Sequence, residues 1–324
     1  MKILITGGAG FIGSNYVKEL ISNNSTWSQI VILDSLTYAG TLTNLDFALN
    51  NERIKFIKGD IRDENLLSGL MSDVHTVIHF AAESHVDRSI LDPNNFVSTN
   101  VLGTANLLKF ALKFNVRKFL HISTDEVYGS IKQGSWTEKS PLQPNSPYSS
   151  SKASSDLLAI SYWKTFGLPV LVSRCSNNFG TNQNIEKLIP LAITNLLDDQ
   201  PVPIYGNGLN IRDWLHVSDH CRAINSLLEN GKPGEIYNIG GGTEKTNLEM
   251  VQLIIAALNK NKDSIEFVND RKGHDFRYSV NFNKIQKDCG YNPIKSFENA
   301  IIETVNWYQN NEKWWRPQKQ QALK

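Results

Sequence analysis

The chain has almost no net charge: 33 Lys and Arg stand against 32 Asp and Glu, a formal +1 over 324 residues. With both signs dispersed, there is no electrostatic case for a nucleic-acid partner or an anionic membrane surface, and a small molecule is the expected ligand. Cysteine is scarce. Cys175, Cys221 and Cys289 lie far apart in no paired motif, which argues against a disulfide framework and reads as small core residues in a reducing compartment. No apolar run approaches a membrane span, and Lys2-Ile3-Leu4-Ile5-Thr6 begins strand-like with no cleavable signal before it. The expectation is a soluble, cytoplasmic protein with no membrane partner. Fixed-period repeats and low-complexity segments are also missing.

What is present is an apolar share of 40%, enough for a large buried core. Short β-branched runs at Lys2 to Thr6, Gln29 to Leu33, Ile54 to Ile57, Thr76 to Phe80, Lys118 to Ile122 and Pro169 to Ser173 alternate with helical patterns. Such alternation predicts an α/β fold: a Rossmann-type, doubly wound parallel sheet buried on both faces. After about Asn178 the pattern loosens into a helix near Glu186 to Leu197, a strand at Val202 to Tyr205 and mixed elements. The glycine-flanked run Glu235 to Ile239 could return to the sheet. The expected division is a dinucleotide-binding domain at 1–178, with a later strand near 235–240, and a smaller, interleaved C-terminal lobe at 179–324. The aromatic tail Trp307 to Trp315 reads as a packing helix.

Gly7-Gly8-Ala9-Gly10-Phe11-Ile12-Gly13 follows the first strand and leads into a helical pattern from near Ser14. In that context Gly7 permits the tight turn, Gly10 lets backbone approach a pyrophosphate and Gly13 allows close helix packing. The next strand ends at Asp34, about 20 residues on, where a carboxylate can bond both adenosine ribose hydroxyls and repel a 2′-phosphate. NAD is therefore expected rather than NADP. Asp60-Ile61 and Phe80-Ala81-Ala82 follow later strands at the carboxyl edge, where ligands sit in open α/β sheets. Each glycine alone reads as an ordinary turn; the combination carries the argument.

Tyr148 and Lys152 are four apart in a segment that starts as a helix after Pro147, so both share one face. The ammonium and a positive nicotinamide ring would lower the tyrosine pKa and let a phenolate take a proton from a substrate hydroxyl. Upstream, Ser123-Thr124-Asp125-Glu126-Val127-Tyr128-Gly129 places two adjacent carboxyls at a strand end. Most Asp-Glu dipeptides are surface charge, but in a closed site such a pair splits into an acid and a base.

These features resemble the extended short-chain dehydrogenase/reductase family over nearly the whole chain. Within it, the Ser123 to Gly129 run and Ala81-Ala82-Glu83-Ser84-His85-Val86-Asp87-Arg88-Ser89 are similar to the nucleoside-diphosphate-glucose 4,6-dehydratases, with the dTDP-glucose branch the nearest likeness. The resemblance implies a redox-neutral hydro-lyase with tightly held NAD in rhamnose-type deoxysugar synthesis. It assigns Glu126 as the C5 base, Asp125 as the acid and Thr124 as a partner of the oxidised hydroxyl. It extends the cofactor set to Phe11, Ile12, Ser35, Leu36, Thr37, Ser84, Thr99 and Asn178. For the nucleotide sugar it points to Ser84, Thr124, Asn177, Lys187, Leu188, Pro203, Ile204, Tyr205, Arg212, Asn247, Arg271 and His274, the two guanidiniums suiting a diphosphate. A homodimer through helices around Asn94 to Phe114 and Ser149 to Phe166 is likewise implied.

The sequence departs from the family in two places. The connection from Glu126 to Tyr148 is short, and Thr181 to Ile185 lacks the usual Pro-Tyr and Phe-Pro, a stretch that leads into nucleotide contacts. Other readings compete: a nucleotide-sugar 4-epimerase or decarboxylase on the same fold, the same dehydration on another nucleotide glucose, or a non-catalytic NAD-sensing protein. His216 and His220 share an i,i+4 spacing but lack a zincin glutamate, and Ser218 or Asp219 reads as a helix cap, so no metal is expected.

Overall fold

A computed structural model describes residues 1–23, 27–261 and 263–322. Its strands are β1 (Lys2–Thr6), β2 (Gln29–Asp34), β3 (Ile54–Lys58), β4 (Thr76–His79), β5 (Lys118–Thr124), β6 (Val170–Cys175), β7 (Asn177–Phe179), β8 (Val202–Tyr205), β9 (Ile211–His216), β10 (Ile236–Ile239), β11 (Glu244–Thr246) and β12 (Ile265–Val268). Seven form one sheet in the order β10-β6-β5-β4-β1-β2-β3. Every pairing in it is parallel. The register Ile5↔Ile32 and Ile5↔Ile78 centres β1.

The apolar runs are continuous because both sheet faces are covered. Ile3 and Ile5 join one core with Tyr16, Val17, Ile224 and Leu227, and Leu4 joins the other with Leu107, Phe119, Ala159 and Val172. The covering helices are Phe11–Ser22 and Val217–Asn230 on the first face, Thr104–Lys113 and Pro147–Phe166 on the second. The returning chain thus contributes the helix Val217–Asn230, as well as β10, to the layers of the seven-stranded sheet. The C-terminal lobe builds its own core from Phe179, Ile193, Trp214, Val251, Ile301, Tyr308 and Trp315, beside the small sheets β11-β9-β7 and β12-β8.

Several boundaries differ from expectation. The first helix begins at Phe11, directly on Gly10, because the glycine loop itself closes the first turn. The helix expected from Glu186 begins at Leu188. The 94–114 stretch is broken by a π-helical segment, Val97–Gly103. Neither Ser218 nor Asp219 caps the helix Val217–Asn230: His216 does, its Nδ1 accepting from the Ser218 N–H at 3.3 Å. An imidazole acceptor there replaces the usual oxygen. No helix among the described residues is long and apolar enough to cross a membrane.

Candidate active site

One cleft runs along the carboxyl edge of the sheet, from the glycine loop to Lys187. At the loop, Gly7 has φ +72°, and a Cβ there would lie 2.5 Å from the Ala81 nitrogen. A Cβ on Gly13 would lie 2.3 Å from the Gly7 carbonyl oxygen, so neither position admits a side chain. Ser14 N–H makes the first bond of the helix, to Gly10 O at 3.0 Å. The N–H groups of Phe11, Ile12 and Gly13 have no partner inside the helix and form an anion site at its positive end. The Asp34 carboxylate is fixed by the Ala9 N–H at 2.9 Å and the Leu36 N–H at 2.8 Å. Each oxygen keeps a second lone pair for a ribose hydroxyl. These residues fit NAD.

Ser35, Thr37, Asp60, Ile61, Phe80, Ala81, Ala82, Ser84, Thr99 and Asn178 line the same cleft. Leu36 does not; its side chain packs against the first core.

The catalytic candidates converge halfway along. Thr124 ends β5, and Asp125–Tyr128 forms a tight 3-10 turn, with Thr124 Oγ1 accepting from the Glu126 N–H at 3.3 Å. The helix Pro147–Phe166 is started by a reciprocal cap between Ser146 and Ser149, which sets Tyr148 and Lys152 in its first turns. Both lie in the cleft with Thr124, Asp125 and Glu126. Beneath them, Asp156 Oδ2 accepts from Arg174 Nε at 2.8 Å, and Arg174 donates to the Tyr128 hydroxyl at 2.8 Å. A buried ion pair thereby joins the tyrosine-bearing helix to the carboxylate turn.

The electrostatics differ from one expectation. Burial pushes the Tyr148 phenol well above its usual value, and the Glu126 charge adds to this. Lys152 does not counter it: its ammonium donates to Ile122 O at 2.8 Å, and burial brings its pKa down to about 8. Desolvation of the buried ring is the largest cause, and the nearby cation is itself desolvated.

The two carboxyls are distinguished by their surroundings. Asp125 is pushed far up by burial, then by the charges of Glu126 and Asp213, and its Oδ2 is buried without a partner. Glu126 is raised by burial too, but Arg271, Lys187 and Arg212 all pull it back down. One group is set to hold a proton and the other to give one up more readily.

Of the substrate candidates, Ser84, Asn177 and Lys187 line the cleft. Asn177 Oδ1 is buried and unpartnered. Arg212 is buried over the Tyr278 ring, 4.4 Å from guanidinium carbon to centroid, and donates to Asp275 O at 2.9 Å. Arg271, Tyr205 and His274 gather outside the cleft proper: Tyr205 OH donates to Asp87 at 3.3 Å, and His274 bonds Asp270 at 2.6 Å. Ile204 is core and Leu188 packs against the same core. Pro203 and Asn247 are likewise not among the lining residues. His220 bonds Asn178 Oδ1 at 2.9 Å and His216 bonds Ser218 at 2.7 Å.

Residues 4–304 match the sequence profile of the GDP-mannose 4,6 dehydratase family. The chain belongs to that family. Among its relatives, the dTDP-glucose 4,6-dehydratase of Actinoplanes sp. is 53% identical, covering 97% of this chain and all of that one. The dTDP-glucose 4,6-dehydratase DesIV of Streptomyces venezuelae, solved with NAD bound, superposes with a TM-score of 0.97 at 50% identity over 98% of this chain and all of its own. A UDP-glucose 4-epimerase from Thermotoga maritima superposes with a TM-score of 0.89, but at 29% identity over 96% of this chain and all of its own.

For a 4,6-dehydratase of this kind, several cleft residues escaped the sequence reading. Gly40 backs Asp34: a Cβ there would meet Asp34 Oδ1 at 2.8 Å. Cys175 and Ser176 line the cleft beside Asn177, a position legible from the carboxyl end of β6. Cys175 donates to Ser123 O at 3.3 Å, and burial pushes its thiol up to about 12, so it is no nucleophile. Gln183 and Asn184 also reach the cleft.

Proposed function

We propose that this chain converts dTDP-glucose to dTDP-4-keto-6-deoxyglucose with loss of one water. The observation that carries this reading is the pair Asp125 and Glu126, adjacent in sequence, enclosed in the NAD cleft and unequal in surroundings. Tyr148 takes the proton of the C4 hydroxyl, and Thr124 holds that oxygen. NAD, held by the glycine loop and Asp34, would supply reversible hydride chemistry at C4 and C6. The C4 ketone acidifies the C5 proton, which Glu126 removes, while Asp125 protonates the C6 hydroxyl as it departs as water; Glu126 then returns its proton to C5 as C6 is reduced.

Residues 1–178 are assigned mainly to the cofactor and 179–324 mainly to the nucleotide sugar. Arg212 and Asn177 are the first choices for the diphosphate and sugar. Three buried, unbridged cysteines suit the reducing cytoplasm. Val97, Leu102, Leu157 and Phe166 are each at least half exposed on the helices expected to pair, and this supports a homodimer.

Incubating the purified protein with dTDP-, UDP-, CDP- and GDP-glucose and weighing the products decides the reading. A mass lower by one water with the dTDP sugar is expected. An unchanged mass for every sugar would sink it in favour of epimerisation, and in a parallel incubation with a nucleotide uronate, loss of carbon dioxide would indicate a decarboxylase.

A further inference from the structure

The segment 181–186, which departs from the usual family pattern, crosses to the cofactor loops. Asn15, in the first turns of the helix Phe11–Ser22, donates to Thr181 O at 3.0 Å, and Thr181 Oγ1 donates back to Asn15 Oδ1 at 3.2 Å. Asn182 Nδ2 donates to Asn44 Oδ1 at 3.1 Å, and Asn44 in turn holds Ala9 O of the glycine loop at 2.9 Å. Asn184 Nδ2 donates to Tyr38 O at 3.1 Å, next to Ala39 and Gly40 of the cleft wall. At the far end, Glu186 pairs with Arg88, whose guanidinium covers the Tyr38 ring at 4.0 Å. The C-terminal aromatics brace the same segment: Tyr308 OH donates to Gln183 O, and Trp314 Nε1 to Asn44 Oδ1 at 2.8 Å. Gln183 itself is buried, tied to Asn178 O at 2.9 Å, with its Oε1 unpartnered. Gln183 and Asn184 line the same cleft as Gly10 and Asp34.

We propose that residues 181–186 form a polar clasp across the dinucleotide cleft, with Asn182 and Asn184 as its latches and Gln183 Oε1 as an acceptor facing the cofactor. The role follows from the chemistry proposed above, on which this inference rests. A redox-neutral reaction needs the reduced dinucleotide to stay in place through the elimination, and release at that stage would leave a ketone the enzyme cannot finish. The latches are side-chain bonds to backbone or amide partners, so they open without disturbing either core. Asn182 has φ +64°, a conformation that Asn and Gly accept most readily, which leaves its amide free to serve as a latch.

Three variants test the clasp. Asn184→Asp keeps the oxygen that accepts from the Glu186 N–H at 2.9 Å but removes the donor to Tyr38. Asn182→Gly keeps the backbone and removes the amide. The two are also combined. NADH release, followed by stopped-flow fluorescence with excess NAD as chase, should quicken about fivefold for each single variant and about 25-fold for the pair, since one hydrogen bond contributes about 1 kcal/mol. Cofactor retained after dialysis should fall in the same order, while the melting temperature of the cofactor-free protein stays within a few degrees. Unchanged release with a folded protein overturns the clasp. Faster release stands for it even if wild-type protein fails to dehydrate dTDP-glucose, an outcome that would remove the reaction reading alone.

Discussion

Replacing Glu126 by Gln separates the two halves of the reaction. The substitution keeps the shape of the side chain while removing the C5 base, so elimination should slow by about 10²- to 10⁴-fold, or about 3–5 kcal/mol of barrier. In the proposed mechanism oxidation at C4 belongs to Tyr148 and Thr124, with Lys152 beside them, and is left intact. Moreover, the Glu126 charge is one of the causes that hold the Tyr148 phenol up. Because oxidation needs the deprotonated phenol, removing that charge lets its pKa fall and moves the rising limb of the oxidation rate to lower pH. Stopped-flow absorbance of the nicotinamide, taken across a pH series, reads both effects. The variant should accumulate reduced cofactor in a burst that wild type does not show, with its limb displaced to the acid side. Full dehydration by Glu126→Gln, or a limb displaced to higher pH, would refute the assignment of base and the electrostatic coupling respectively.

Asp156→Asn leaves the buried Arg174 charge without its counter-ion and should destabilise the fold by about 3–5 kcal/mol in urea unfolding. The Asp156 carboxyl, despite burial, is held below its usual value by His121 and Arg174. Its contribution is therefore complete above the unfolded pKa near 3.9 and is lost as pH falls through the folded value, so wild-type and variant stabilities should converge in strong acid; a constant gap would contradict this. Leu157, 62% exposed, should become Glu without loss of fold but with conversion of dimer to monomer by light scattering; a wild-type monomer would remove the proposed interface.

The parts of the site legible in the sequence are those set by near neighbours. β1, the glycine loop and Asp34 sit within one βαβ unit, so spacing alone placed Gly7, Gly13 and the carboxylate. Tyr148 and Lys152 are neighbours on one helical turn, and Asp125-Glu126 are consecutive. What escaped depends on how distant segments close over them. The Tyr148 pKa follows from enclosure by several elements, which no local spacing reports. Ile204 is apolar and alternates inward on β8, and the core took its side chain. Arg271, Tyr205 and His274 belong to a rim whose membership is fixed by Asp87 and Asp270, far apart in the chain. Segment 181–186 reads as a polar loop, and only tertiary structure shows that its asparagines end on Asn44 and Tyr38.

The position of β10 at the sheet edge has a consequence for synthesis. β6 ends at Cys175 and its neighbour β10 begins at Ile236, so the ribosome makes about 60 residues before the partner strand exists. At 5–20 residues per second that is about 3–12 s. Throughout that interval the edge of β6, carrying Val170, Leu171 and Val172, presents unpaired N–H and C=O groups beside apolar side chains, a ready template for another nascent chain. A fragment ending at residue 178 would keep that open edge permanently. The returning strand β10 thus closes the edge of the seven-stranded sheet, so a cut at residue 178 divides one sheet rather than two separate modules.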